Sequence, residues 1–275
     1  MVRPVFEKHE MEQLLHMVHH VYGYDFSEYS KASLNRRIQK FMHDKGLMDS
    51  KSLIQLLAGD RLSFQFFLET VTVNVTEMFR DPSFYKCLRQ QVIPILATYP
   101  QINIWHAGCA TGEEVYSLCI LLHEAGLLHR CRIYATDISP ANLEIAKSGV
   151  LPLHHMREYT ANYHESGGVL DFSDYYTAHY DKVLINKQIR ERVVFLQHNL
   201  VTDHSFNEFQ LILCRNVMIY FNKQLQNKVL KLFYESLSPL GFLALGMKES
   251  LLFSEIKSKM SAFESAVKIY RKKNK

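Results

Sequence analysis

The first segment whose residues could bind a ligand is a glycine-containing turn at 106–114, which reads His-Ala-Gly-Cys-Ala-Thr-Gly-Glu-Glu. Gly108 and Gly112 permit a tight turn and a close approach of backbone to a ligand. The turn is neither Gly-x-Gly-x-x-Gly nor a P-loop, and Glu113 and Glu114 would repel a phosphate. These two acids favour a cationic group such as an ammonium or a sulfonium. Acids in a first helical turn are also compatible with a simple interaction with the helix dipole.

Asp137 follows a second apolar segment and lies 25 residues after Gly112. At the end of a second strand, an acid is well placed to accept hydrogen bonds from ribose hydroxyls. Asp137 could instead cap a helix that begins at Pro140, but Ser139 is the better cap and leaves Asp137 for a ligand. Together with the glycine turn, Asp137 predicts a nucleoside ligand without a phosphate requirement. S-adenosylmethionine fits, because it carries a ribose, a sulfonium and an ammonium.

Two further polar segments accompany these residues. Residues 72–81 join a region of predicted helices to a region of alternating strands and helices, and could be an ordinary interdomain turn. A strand at 209–214 runs into Arg215, Asn216 and Tyr220. Because ligands of open α/β sheets bind at the carboxyl ends of strands, these three side chains are candidates for the substrate side of a site.

Several classes of protein are disfavoured by composition. The five cysteines are scattered without a Cys-x-x-Cys pair, and the fourteen histidines include no His-Glu-x-x-His, so we expect neither a disulfide framework nor a metal site. The 32 Lys and Arg residues nearly balance the 28 Asp and Glu residues, which argues against a nucleic-acid partner. Four of the positive charges, at 271, 272, 273 and 275, are expected to form a solvated end. We see no signal peptide and no membrane span, and we expect a cytoplasmic protein.

Helices alone are predicted for residues 1–85. Apolar residues recur at helical spacing in four short stretches, which makes a small bundle. The stretches are 6–22, 33–45, one ending near Leu57 and capped by Ser50 or Ser52, and one capped by Ser63 with Phe66, Phe67 and Val71 inward. A linker helix broken by Pro94 is predicted over 86–100.

From residue 101 onward, strands alternate with helices, which predicts an α/β domain with a doubly wound parallel sheet over 101–275. The predicted strands are 102–107, 131–136, 193–197, 209–214 and 241–246, with an edge strand at 266–271, and the predicted helices are 113–125, 140–147 and 223–237. A Tyr-rich segment at about 160–192 interrupts this alternation. Strand-like pieces at 175–180 and 182–185 indicate an inserted β-subdomain.

Four of these segments, 72–81, 107–117, 135–138 and 214–221, resemble the chemotaxis-receptor methyltransferases, the CheR family. The string Cys-Arg-Asn-Val-Met-Ile-Tyr-Phe at 214–221 is the most specific, and the resemblance covers nearly the whole chain. It implies a bacterial S-adenosylmethionine-dependent protein-glutamate O-methyltransferase. The implied fold has a helical N-terminal domain, a Rossmann-like methyltransferase domain and an inserted β-subdomain. The implied partner is the cytoplasmic helical region of chemoreceptors, with S-adenosylhomocysteine as product, and we expect a monomer.

The resemblance also implies roles for individual residues. Arg80 and Tyr220 would be the catalytic residues beside the transferred methyl group. Cofactor binding would fall to Asn74, Thr76, Arg80, Gly108, Glu113 or more readily Glu114, Asp137, Asn199, Leu200, Arg215 and Asn216. Substrate recognition would fall to the basic helix that carries Arg36, Arg37 and Lys40, a face that is equally compatible with a solvated surface.

The chain also departs from the family pattern. The usual Gly-His-Ser-Glu segment reads Gly-Met-Lys-Glu at 246–249, and the insert is a loose match to one that docks a receptor's C-terminal pentapeptide. These departures motivate an alternative function, a signalling adaptor that binds S-adenosylmethionine with little methyltransferase activity. Methylation of a small molecule or an RNA is a third possibility.

Overall fold

Four helices form the N-terminal bundle of the computed structural model, which describes residues 7–72 and 76–274. They are α1 (Lys8–Tyr22), α2 (Lys31–Asp44), α3 (Ser50–Gly59) and α4 (Arg61–Val71). Their inward faces build one apolar core, which includes Leu14, Val18, Ile38, Leu53, Leu57 and Phe67. The burial of these side chains against one another explains why short helices of modest propensity are stable here.

Two details of the bundle differ from the prediction. Asp49 accepts a hydrogen bond from the Ser52 amide, and Asp60 accepts from the amides of Leu62 and Ser63, so aspartates cap α3 and α4 in place of the predicted serines. Phe66 points outward, because the buried face of α4 is set by positions 64, 67, 68 and 71.

The linker helix begins earlier than predicted and is not broken. It runs through α5 (Pro82–Cys87), a π-helical turn (Leu88–Val92) and α6 (Ile93–Leu96). The amide of Ile93 bonds to the carbonyl of Leu88, five residues back. This widened turn lets the helix pass Pro94, which has no amide hydrogen to donate.

Ten strands follow, seven of which form the main sheet. In chain order the strands are β1 (Ile102–Ala107), β2 (Cys131–Asp137), β3 (Val150–Pro152), β4 (Tyr176–His179), β5 (Lys182–Ile185), β6 (Val193–Gln197), β7 (Phe209–Cys214), β8 (Leu237–Leu245), β9 (Met260–Glu264) and β10 (Ile269–Lys272). The helices are α7 (Glu113–Glu124), α8 (Pro140–Ser148), α9 (Met156–Glu165), α10 (Lys187–Arg190) and α11 (Lys223–Ser236).

The main sheet has the order β6-β2-β1-β7-β8-β10-β9. The first five strands are parallel, and β10 and β9 are antiparallel additions, so the sheet is mixed rather than wholly parallel. The strand predicted as an edge is β10, which lies one strand inside the edge because the unpredicted β9 pairs with it. The strand order reverses at β1, so a ligand crevice is expected at the carboxyl ends of β1 and β7.

The inserted segment forms a second sheet of order β3-β5-β4, all antiparallel. Both predicted strand pieces are present as β4 and β5. The small sheet begins at Val150, ten residues before the predicted start of the insert, because the three-residue β3 is too short to produce a periodic pattern.

Arg271 and Lys272 are half-buried in the fold, so the prediction of a solvated end is wrong for these two residues, whereas Lys273 is exposed. Lys272 Nζ donates to the carbonyl oxygens of Tyr234 and Leu237, at 2.9 and 2.6 Å, and so caps the end of α11. Lys273 Nζ donates to the Ser258 carbonyl at 2.8 Å. Across residues 7–72 and 76–274, no helix has the length and apolar character needed to cross a membrane.

Candidate functional site

A cleft of about 950 Å³, counted with its open mouth, lies at the carboxyl ends of β1, β2 and β7. This volume is within the range of small-molecule sites. Ten predicted site residues line it: Thr76, Arg80, Gly108, Glu114, Asp137, Asn199, Leu200, Arg215, Asn216 and Tyr220. Asn74 lies outside the described residues. Glu113 is not among the lining residues, because its carboxylate turns away to accept a hydrogen bond from Thr111 Oγ1 at 2.6 Å.

The glycine turn forms one wall of this cleft and requires its glycines. Gly108 has a φ of +76°, and a Cβ there would lie 2.4 Å from a methyl carbon of Val217. Gly112 has a φ of +96° and a Cβ would meet Ala146 at 3.0 Å. Both a left-handed backbone and close packing therefore exclude larger residues. The result is a backbone wall that a flat ligand can approach closely.

Asp137 is buried at the end of β2 and is fixed on both sides. Its Oδ2 accepts from the Ala110 amide at 2.9 Å, and its Oδ1 accepts from the Ser139 amide at 2.9 Å and from Asn142 Nδ2 at 3.3 Å. Burial raises its pKa, and these hydrogen bonds oppose the rise. Ser139 caps α8 as predicted. Asp137 is therefore anchored rather than left free, and it presents its carboxylate to the cleft from a rigid position.

Arg215 is the centre of a buried charge cluster. Its Nη1 donates to Glu114 Oε2 at 2.7 Å and its Nη2 to Asp81 Oδ2 at 2.5 Å, while its guanidinium lies 4.0 Å from the ring centroid of Phe84. Burial alone would raise the pKa of Glu114, but the Arg215 charge and His106 hold it below the ordinary value. The cluster ties β7 to α7 and to the segment that precedes α5.

The second oxygen of Glu114 makes no aligned hydrogen bond. Glu114 Oε1 is buried and lies 3.2 Å from His106 Nε2, a contact that helps to lower the Glu114 pKa. A ligand donor aligned with this oxygen would satisfy it further. The cleft therefore offers buried acids and a closely approachable backbone wall, which suit S-adenosylmethionine, a ligand with a ribose, an ammonium and a sulfonium.

Arg80 sits on a strained turn at the edge of the cleft. Phe79 and Asp81, on either side of it, have φ values of +53° and +56°. Ser117 Oγ accepts from the Phe79 amide at 2.9 Å, and the Arg80 carbonyl accepts from both terminal nitrogens of Arg215 at 3.4 Å. Such backbone conformations persist only where the surroundings enforce them, and they concentrate at functional sites. These contacts fix the backbone at Arg80.

Glu249 is a site residue whose role sequence reasoning missed. Its buried carboxylate accepts four backbone amides, from Gly246 at 2.6 Å, Asn216 at 3.1 Å, Val217 at 3.0 Å and Met218 at 2.7 Å. Burial raises its pKa and these four donors oppose the rise. Glu249 thereby shapes the loop after β7. The retained acid of the Gly-x-x-Glu segment was the available signal.

The departures from the family pattern stay outside the cleft. Met247 and Lys248 are exposed and neither lines it. Gly246 and Glu249, which the segment shares with the family pattern, are buried. The two substituted positions therefore lie outside the lining of the cleft.

The helical bundle closes the cleft from the other side. The Ser30 amide donates to the Tyr220 carbonyl at 2.8 Å, and the Asn222 amide donates to the Glu28 carbonyl at 2.9 Å. Tyr29, between them, lines the cleft and packs edge-on against Phe221. Sequence reasoning missed Tyr29 because it lies in a loop between two predicted helices. The cleft is complete only when both domains are in contact.

The basic face of α2 borders the cleft without lining it. The Arg37 guanidinium stacks over the ring of Tyr220, 4.9 Å from its centroid. Arg36 and Lys40 are exposed on the same helix. Arg37 is half-buried, so the solvated-surface interpretation does not hold for this residue. A cation–π contact of this kind fixes the orientation of the tyrosine ring.

Comparison with known proteins agrees with this geometry. The family model for the CheR methyltransferase S-adenosylmethionine-binding domain matches residues 74–268, and that for the CheR all-alpha domain matches residues 9–72. The chain is 45% identical to a putative methyltransferase, Cher3, of Pseudomonas putida over 96% of both chains. It is 31% identical to a chemotaxis protein methyltransferase of Listeria innocua, over 84% of this chain and 86% of that one. The chain therefore belongs to the CheR methyltransferase family and is an S-adenosylmethionine-dependent methyltransferase.

Proposed function

We propose that this methyltransferase esterifies glutamate side chains in the cytoplasmic helical region of chemoreceptors. The observation that carries the proposal is the contact between Arg37 and Tyr220, because it joins a basic helix face to the mouth of the cofactor cleft. An acidic helical segment bound to α2 would present its carboxylates at that mouth. Relatives such as the Listeria innocua protein are named chemotaxis protein methyltransferases, which supports the same substrate class.

The reaction requires orientation rather than a general base. A glutamate carboxylate is ionised at neutral pH and is already a nucleophile. When bound, the cofactor supplies an electrophilic methyl group on a sulfonium and leaves as S-adenosylhomocysteine. Arg80 would hold the incoming carboxylate, and the Tyr220 hydroxyl would donate a hydrogen bond to it. Catalysis would then come from positioning and from exclusion of water.

The enclosing elements support this division of labour. Arg215 and Glu249 hold backbone and side chains in place, and Arg80 and Tyr220 line the cleft. The cleft is built by the two domains of a single chain, and we propose that the enzyme works as a monomer in the cytoplasm, where the receptor glutamates lie.

The adaptor alternative is not favoured. Its motive was the change at Met247 and Lys248, and both residues are exposed outside the cleft. Methylation of a small molecule or an RNA is also less suited to this site. The 32 Lys and Arg residues nearly balance the 28 Asp and Glu residues, so the chain lacks the broad basic surface of an RNA-binding protein. A basic helix face beside Tyr220 also has no charged partner in a neutral metabolite.

The test uses the full chain, methyl-labelled S-adenosylmethionine and a purified cytoplasmic receptor fragment. We expect label in the fragment that mild base releases as methanol, and no label when the acceptor glutamates are changed to alanine. Binding of the cofactor without any label in the fragment would contradict the proposal. So would label that resists mild base, because an ester would have been hydrolysed.

A further inference from the structure

The loop that follows β8 carries an exposed apolar surface beside the cleft. Met247 is 41% exposed, Leu252 is 53% exposed and Phe253 is 81% exposed, although Leu251 between them is buried and anchors the loop. We name residues 247–253 the β8 lip. A group of large, exposed apolar side chains next to a site is typical of an interaction surface.

The β8 lip is rigidly joined to the loop that bears Tyr220. Glu249, within the lip, accepts the amides of Val217 and Met218. On its other side the lip touches Lys223, whose Nζ lies 5.6 Å from the ring centroid of Phe253. Lys223 begins α11, three residues after Tyr220. The lip is therefore continuous with the rim of the cleft.

Tyr220 thus stands between two surfaces of complementary character. On one side is the α2 face, with Arg37 against its ring and Arg36 and Lys40 exposed. On the other side is the β8 lip, whose apolar side chains are accompanied by two exposed cations, Lys248 within the lip and Lys223 beside it. Beyond the lip the exposed charges are those of Glu255, Lys257 and Lys259. The two surfaces on either side of Tyr220 therefore carry exposed cations and one apolar patch.

We propose that the β8 lip is the second half of the substrate-docking surface and receives the apolar flank of an amphipathic, acidic helix. This inference rests on the proposed function. A surface helix of a bundle has charged residues on its outer face and an apolar stripe toward the core, and the edge of that stripe adjoins the outer face. When a glutamate of the outer face enters beside Tyr220, the acidic face meets α2 and the apolar edge meets Leu252 and Phe253.

The test compares steady-state kinetics of two double variants on a soluble receptor fragment. Leu252→Ser with Phe253→Ser removes the apolar patch. The matched control is Val169→Ser with Leu170→Ser, an adjacent exposed apolar pair on the insert, 85% and 50% exposed. We expect the lip variant to raise KM for the fragment about tenfold, the equivalent of about 1.4 kcal/mol, with kcat and the Kd for S-adenosylmethionine unchanged. The control should behave as the wild type, and Phe253→Leu should retain most of the affinity.

Three results would overturn the inference. One is an unchanged KM for the lip variant, and another is a fall in kcat at constant KM. The third combines two measurements: the wild-type protein sediments with anionic phospholipid vesicles and the lip variant does not, while the KM for the soluble fragment is the same for both. The patch would then contact a membrane. Failure of the wild type to label the fragment at all would instead refute the proposed function, so the two ideas fail separately.

Discussion

Removing the charge of Glu249 should loosen the active-site loop. In the wild type, each carboxylate oxygen of Glu249 accepts two backbone amides. In Glu249→Gln, an NH2 group replaces one of these two oxygens. Two of the four donors would therefore lose their acceptor. The raised pKa of Glu249 means that burial opposes its charge more than the four amides support it, so the loss comes from the two backbone amides that are left buried without an acceptor. An unsatisfied buried donor costs about 1–3 kcal/mol, and we expect a loss of about 3 kcal/mol in the free energy of unfolding from the two together.

Urea unfolding at neutral pH measures this loss, and Glu255→Gln, on the same loop but exposed, is the matched control. Asn216 and Tyr220 line the cleft and belong to the loop that Glu249 holds. The Kd for S-adenosylmethionine should therefore also rise about tenfold, and turnover should fall. A Glu249→Gln protein within about 0.5 kcal/mol of the wild type would refute the argument, because that is the range of ordinary surface substitutions.

Three further changes probe the cleft. Arg80→Ala should lower kcat about a hundredfold in a protein that still folds, since the Arg80 carbonyl that Arg215 holds is retained; normal turnover would exclude a catalytic role. Asp137→Ala should weaken S-adenosylmethionine binding by about 1.5–3 kcal/mol in calorimetry, and an unchanged Kd would remove it from the ribose site. The lowered pKa of Glu114 means that its ionised form stabilises the fold above its ordinary pKa of 4.5, and that this stabilisation is lost as pH falls through the folded-state pKa. The stability difference between wild type and Glu114→Gln should therefore shrink on acidification in urea titrations, and a constant difference would contradict the assignment.

Much of the sheet is predictable because its central strands are buried on both faces. The bounds of β1 and β7 agree with the prediction, since each is a short apolar run between polar segments. The bounds of the edge strand β6 also agree, because it too is an apolar run, although Val194 and Leu196 are exposed. The unpredicted β9 reads Met-Ser-Ala-Phe-Glu and has only one fully buried residue, so its pattern does not distinguish it from a loop. Its place in the sheet comes from pairing with β10, which is a tertiary effect.

The site residues also differ in how far they could be predicted, because some are positioned within one local motif and others by contacts distant in the chain. Asp137 and Glu114 were identifiable because a strand end and a helix start fix them within one motif. Neighbouring residues on a helix point about 100° apart, so only one of Glu113 and Glu114 can face the cleft. Glu249 and Tyr29 act on a loop that lies more than thirty residues away in the chain, and no periodicity in one sequence reveals such contacts.

The contacts between the two domains give the bundle a part in the chemistry as well as in substrate binding. The Ser30 amide, at the start of α2, holds the Tyr220 carbonyl, and Arg37, two turns further along α2, covers the Tyr220 ring. A shift of α2 would therefore move the tyrosine as well as the basic face. A substrate helix that binds α2 stabilises the arrangement in which Tyr220 is held on both sides, so docking energy is available to orient the reacting groups. On this reasoning, disturbing Arg37 affects kcat as well as KM, whereas disturbing the exposed Lys40 affects KM alone.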